Sequence, residues 1–278
     1  MSDAAFYSMY YIDHAGRALS WNVAAQTFEE QMCIYLGCCE TLSRSLAHYT
    51  GHKLTVLTND RACVEENSKE LACVELPFEP VPVGIKFFAS MQRLSLFKYF
   101  AQCPGYSFLI ESDSLCINDI PLNLTRCVEN NIPTYYDITD QVYPAYGREK
   151  ILLDKERLLG GPSVGMWAGG DLIGGDGAFF QELYDEIAQI KDAYWSDYDS
   201  YFHQGDEMLV SVALEKIMRR RYVCDVGSFG GIRRYWSNPT LHVQRPTKAY
   251  LDCFLVHLPA DKPLLASYSV PHWIPKLA

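Results

Sequence analysis

Glu111 and Asp113 stand two positions apart, directly after the apolar run Tyr106-Ser107-Phe108-Leu109-Ile110. Side chains at i and i+2 of an extended segment point the same way, so the pair can converge on one hard cation. Carboxylate oxygens suit Mg²⁺ or Mn²⁺, with substrate phosphates and water completing the shell. The plainer alternative is a turn, where acidic residues serve backbone geometry alone. A run this apolar is normally covered on both faces, which indicates a parallel sheet. Open parallel sheets bind ligands beyond the carboxyl ends of their strands, so the tip after Ile110 is a site by position.

The elements that must hold this tip follow from the pattern on either side of it. Residues 5–12 read as a first strand and 27–49 as a long helix closed by Gly51. Strands follow over 54–58, ending in Asn59-Asp60, and over 71–76; a helix over 87–101 then stops at Pro104-Gly105. The alternation predicts a βαβ sheet with right-handed connections. Beyond Asp113, Pro121 suits the first turn of a short helix, 133–137 reads as a strand, and the stretch to Gly161 has no readable pattern. A glycine-rich segment from Trp167 to Asp176 precedes helices over 177–194 and 205–218, and a last strand over 253–256 ends in His257.

A chain of 278 residues is ample for one large α/β domain with a sizeable core. The net charge of −10, from 34 acidic and 24 basic residues, argues against nucleic acid or an anionic membrane as main partner. Arg219-Arg220-Arg221 follows a helical pattern and reads as a helix C-terminus complemented by basic residues. No apolar stretch reaches the ~20 residues of a membrane span, and the N-terminus lacks signal-peptide character. The expectation is a cytoplasmic protein, with peripheral membrane association left open. The ten cysteines show no zinc-site spacing and read as reduced, mostly buried residues.

In their order, these landmarks resemble the GT-A glycosyltransferases, over about residues 6–263. The resemblance is nearest to the retaining glycogenin and lipopolysaccharide galactosyltransferase type and to the blood-group transferase type. It implies an α/β, Rossmann-like fold with a mixed, mainly parallel sheet flanked by helices. The single domain would have a nucleotide-binding half over about 1–120 and an acceptor-binding half over about 121–278. The implied activity is transfer from a nucleotide-diphosphate sugar, UDP-sugar first, to a glycan, glycolipid or glycoprotein acceptor, with retention. Mn²⁺ or Mg²⁺ is the implied cofactor, with Glu111, Asp113 and His257 as its ligands. Glu111 stands where the family has an aspartate.

Other positions acquire roles from the same resemblance. In Gln92-Arg93-Leu94-Ser95-Leu96-Phe97-Lys98-Tyr99-Phe100, Arg93 would reach the acidic motif or the donor phosphates. In the segment from Phe254 to Pro263, His257 would be the metal ligand, or else a buried core histidine, and Lys262 would touch the diphosphate. Gly169 and Gly170 would let backbone pass close to the sugar, and Trp167 would offer it a stacking face. Asp206 and Glu207 would act at the anomeric carbon or the acceptor, the alternative being stabilisation of a helix N-terminus. Tyr11 and Asp60, ending the first two strands, would meet base and ribose. Trp195, Tyr198, Tyr201, Phe202, Tyr235 and Trp236 would suit a glycan surface.

Two rival readings use the same fold. A sugar-phosphate nucleotidyltransferase would carry a glycine-rich basic loop after the first strand, where this chain has Asp13-His14-Ala15-Gly16-Arg17. A catalytically silent carbohydrate-binding protein would tolerate the departures at Glu111 and around His257.

Overall fold

A computed structural model describes residues 4–13, 25–238 and 241–268. β1 (Ala4–Tyr10) alternates buried and half-buried positions, as a strand with one face on the core must. In α1 (Phe28–Thr50), Thr27 caps the start by accepting from the Glu30 amide, and Gly51 closes the end in the left-handed conformation at φ 73°. β2 (Leu54–Thr58), α2 (Arg61–Asn67) and β3 (Ala72–Glu75) complete two βαβ units. The expected helix over 87–101 is two, α3 (Phe88–Met91) and α4 (Arg93–Phe100), with Gln92 at the break. β4 (Tyr106–Ile110) coincides with the expected strand, and all of it is buried.

The second half continues with β5 (Ser114–Cys116), α5 (Leu122–Glu129), β6 (Thr134–Asp137), α6 (Thr139–Tyr146) and α7 (Arg148–Leu159). Pro144 inside α6 and the turn at Gly147 break the periodicity there, which is why the sequence pattern is unreadable. Then come β7 (Ala168–Asp176), α8 (Gly177–Ser196), α9 (Asp206–Met218), β8 (Cys224–Asp225), β9 (Ile232–Arg234), α10 (Thr247–Leu251), β10 (Leu255–His257) and α11 (Lys262–Ala266).

The main sheet has seven strands in the order β3-β2-β1-β4-β7-β6-β8. β1 pairs in parallel with β2 and β4, β2 with β3, and β6 with β8, whereas β7 runs antiparallel to both its neighbours. This reversal decides where the chemistry collects. Ile110 at the end of β4 lies opposite Leu172 in the middle of β7, so the first half of β7 runs on past the tip of β4 and sets Asp171 beside Glu111. A smaller sheet, β5-β10-β9, sets His257 opposite both Ser114 and Arg234.

One continuous apolar core underlies the main sheet, with α4 and α8 packed through Phe97, Phe100 and Phe180. Fully burying each such ring contributes about 1.5–3 kcal/mol. Arg219, Arg220 and Arg221 each pair with glutamates of α8 or α9, in keeping with a helix end rather than an anion-binding patch. All ten cysteines are free thiols. No described helix is long and apolar enough to cross a membrane. Of the stretch from Asp13 to Arg17, only Asp13 lies within the described residues.

Candidate active site

Asp113 is nearly inaccessible, and two cations grip it. His257 Nε2 stands 3.0 Å from Oδ1 and Lys262 Nζ 2.5 Å from Oδ2. Burial alone would raise this carboxyl, but the charges of His257 and Lys262 outweigh it and hold it well below the usual range. On its far side, the His257 Nδ1–H donates to Asp171. Burial opposes charge on the imidazole, yet Asp113 and Asp171 together raise it above its ordinary value. Lys262 also donates to the Pro259 carbonyl at 2.9 Å.

Glu111 does not join Asp113. Residues 111–114 form a turn closed by the Ser114 N–H on the Glu111 carbonyl at 3.2 Å, so the i, i+2 rule for extended chain no longer applies. The Glu111 carboxylate pairs instead with Arg93, whose other amino group lies 3.2 Å from Asp206. Arg93 thus reaches the acidic motif, as expected, and is itself buried.

Asp171 is the hub that sequence reasoning missed. Arg234 grips it bidentately, Nε at 2.8 Å and Nη2 at 2.6 Å, and the same Nη2 donates to Glu207 at 2.8 Å. A chain of alternating charge therefore runs Asp113, His257, Asp171, Arg234, Glu207. Glu207 also accepts from the Gly170 amide at 2.9 Å and Trp167 Nε1 at 3.1 Å, with His203 Nε2 at 3.5 Å. Burial would raise Glu207, but Arg234 and then His203 pull it down to about 2. The positive end of the α9 dipole favours the same charge.

Asp206 goes the other way, raised by burial against the charge of Arg93. Adjacent carboxylates pushed apart in this way suit different roles. Glu207 faces the cavity, while Asp206 backs Arg93. Trp167 is fully buried, with its ring 4.7 Å from that of His203, so it orients Glu207 and presents no face to a sugar. No large apolar ring at the start of a strand can both fill the core and remain exposed.

The two glycines have a concrete cause. A Cβ on Gly170 would fall 2.2 Å from Arg93 Nη1, and one on Gly169 would fall 2.2 Å from Asp171 Oδ2. They make room for the charged network itself.

These groups line a cavity of about 370 Å³, within the range of ligand sites. Arg93, Asp113, Glu207, Arg234, His257 and Lys262 form its polar wall; Met9, Tyr11, Met32 and Phe88 belong to its apolar wall. Tyr11 is half-buried, its ring edge-on to Phe78 at 5.3 Å. Asp60 is not part of this lining: it caps α2, accepting from the Cys63 amide at 2.8 Å. Its neighbour Asn59 clamps both the N–H and the carbonyl of Ile12 at 2.8 Å, tying the ends of β1 and β2.

Among the described residues, no three His, Cys, Asp or Glu side chains gather to form a ready-made metal cage. Asp113 and His257 do face each other, and a carboxylate behind the imidazole is the usual support of a metal-binding histidine. With His257 deprotonated at Nε2 and Lys262 moved off Asp113, that donor set fits a divalent ion that takes its remaining ligands from phosphate and water.

No family model matches the chain, and no curated protein matches it in sequence. Its fold resembles the crystal structure of mouse xyloside xylosyltransferase 1 in the apo form, with a TM-score of 0.50 and 11% identity, over 92% of this chain and 97% of that one. A likeness at that identity is one of fold: the chain has the mixed, mainly parallel, Rossmann-like α/β sheet flanked by helices that its sequence pattern implies.

Proposed function

We propose that the chain is a metal-dependent glycosyltransferase, moving a sugar from a nucleotide-diphosphate sugar, UDP-sugar first, to a hydroxyl of a glycan, glycolipid or glycoprotein, with retention. One observation carries this reading. A single cavity is lined by the cationic Arg93, Lys262 and His257 together with Asp113 and with Glu207, which is held ionised. A nucleotide sugar has matching polarity: its diphosphate gains negative charge as the glycosidic bond breaks, and its anomeric carbon gains positive charge.

Asp113 and His257 would hold the divalent ion, which when bound supplies charge neutralisation to the leaving diphosphate. Lys262 would leave Asp113 for a phosphate oxygen and, with Arg93, would add positive charge beside the leaving diphosphate. Glu207 stabilises the cationic character of the sugar; its low basicity favours this electrostatic role over proton abstraction. Gly170 contributes through the backbone N–H that aims Glu207, and the half-buried Tyr11 ring offers a face to the base. Asp60, committed to its helix cap, takes no part.

Incubation with Mn²⁺ and a panel of UDP- and GDP-sugars tests the reading. Release of UDP or GDP supports it, and Asp113→Ala should abolish that release without unfolding the protein. Pyrophosphate formation from a nucleoside triphosphate would point to a nucleotidyltransferase. Binding without turnover would point to a silent carbohydrate-binding protein, the reading that the engagement of Glu111 by Arg93 favours.

A further inference from the structure

The six aromatics expected to suit a glycan divide sharply. Tyr198 and Tyr201 are buried. Lysines 191 and 150 lie over Trp195 and Phe202, each with Nζ 5.0 Å from the ring, and Tyr235 packs edge-on to Tyr250. Trp236, by contrast, lines the cavity that holds Glu207 and Arg234.

Its ring lies flat on His242, with centroids 4.7 Å apart and planes within 6°. His242 is in turn fixed by a 3.1 Å hydrogen bond with the Gln141 carbonyl, so the indole has a rigid backing. Trp236 Nε1 is buried and has no hydrogen-bond partner among the described residues. Leaving such a donor unpaired costs about 1–3 kcal/mol, and native structures seldom do so. With no accessible surface, this N–H is closed to the cavity, and what a ligand there meets of Trp236 is the carbon surface of its ring. The Tyr146 ring, 41% exposed, stands 5.0 Å from that of His203, which in turn contacts Glu207, a residue that shares the cavity lining with Trp236.

We propose that Trp236, backed by His242, is the floor of an acceptor subsite for a saccharide ring, with Tyr146 at its rim. The C–H face of the sugar stacks on the indole, and the reactive hydroxyl turns toward Glu207. A phosphate would be drawn past this wall to Lys262 and Arg93, whereas a sugar supplies an apolar C–H face for the indole to stack against. The assignment of this sugar as acceptor rests on the glycosyltransferase reading; the subsite itself does not.

The test is ¹⁵N NMR of the five indole N–H groups, with Trp236 assigned by its loss in Trp236→Phe. Methyl glycosides of the common pentoses and hexoses are titrated with and without UDP and Mn²⁺. At least one glycoside should move the Trp236 signal, and Trp236→Leu should weaken that glycoside up to about tenfold, the worth of a stacked ring, with Trp236→Phe keeping part of it. A Trp236 signal unmoved by every glycoside, in a protein whose spectrum responds to UDP, overturns the subsite alone. No response to any nucleotide instead overturns the glycosyltransferase reading, while a glycoside shift at Trp236 would still uphold the subsite. Equal glycoside affinity in Trp236→Phe and Trp236→Leu overturns the stacking.

Discussion

Arg234 donates to Glu207 at 2.8 Å across 27 residues of sequence through the same Nη2 that, with Nε, holds Asp171. The orientation of Glu207 is thereby tied to the residue that also holds His257.

Replacing Arg234 should be costly in two separable ways. Arg234→Gln leaves Asp171 and Glu207 buried and under-compensated, a loss of about 3–5 kcal/mol, measurable by urea unfolding. Arg234→Lys keeps the charge but cannot reproduce the fork. It should retain most of the stability while lowering kcat; equal effects of the two variants on kcat would show that orientation does not matter.

Gly170→Ala should displace Arg93, because the new methyl would sit 2.2 Å from its Nη1. Turnover of the donor should fall by roughly a hundredfold, as misplacement of about 1 Å can cost. Gly161→Ala, which meets nothing within 4 Å, serves as the neutral control. A Gly170→Ala enzyme as active as that control would refute the close-packing argument.

Glu207 should remain ionised throughout the range in which the protein is folded, since Arg234 and His203 hold it down to about 2. The rate should therefore show no acid limb from this residue between pH 4 and 8, as roughly two units above the pKa leaves about 99% ionised. Glu207→Gln should lower kcat about 10²–10³-fold, the range for a fixed electrostatic group, with a smaller change in donor KM. Product NMR completes the test: an inverted anomer would recast Asp206 or Glu207 as the base that deprotonates the acceptor.

Stability in acid should depend on a pair away from the chemistry. Lys155 Nζ lies 2.8 Å from Glu215 Oε2, both fully buried, and Glu215 also accepts from Ser163 Oγ and the Val164 amide on the approach to β7. Burial would raise Glu215, but Lys155 and these donors lower it. A depressed carboxyl stabilises the fold above its unfolded pKa of about 4.3, and the stabilisation is lost as pH falls through the folded value. Lys155 is charged on both sides of that window and adds no slope there. Glu215→Gln should cost about 3–5 kcal/mol at pH 7, and the gap from wild type should narrow as pH drops below 4. A gap constant from pH 7 to 3 would count against the pairing.

The sequence reveals the strand before Glu111 because an apolar run ending in carboxylates is a local signal, and it reveals α1 because Thr27 and Gly51 are local caps. It conceals α6 and α7 because Pro144 and Gly147 interrupt their periodicity. The strand ending in His257 was readable, but β5 and β9 have three residues each, too short for any pattern, so the strand that delivers Arg234 to the site leaves no trace. Asp171 was hidden differently. It lies inside the glycine-rich segment already singled out, but only the antiparallel course of β7 shows that the segment is a strand whose middle meets the tip of β4. Glu111 misled because a spacing that is informative on a strand means nothing in a turn.

The grip of His257 and Lys262 on Asp113 also bears on how the molecule is made. These two residues belong to or follow β10, more than 140 positions after the carboxylate they neutralise. Until β10 and α11 dock, a growing chain has a negative charge at the tip of its central strand with nothing to bury it against. The first half of the sheet can pair its strands during synthesis, but its tip must stay hydrated and open. The last described elements thus act as a closing step, and a chain that lacks them would expose its incompleteness at the very point where the site is due to form.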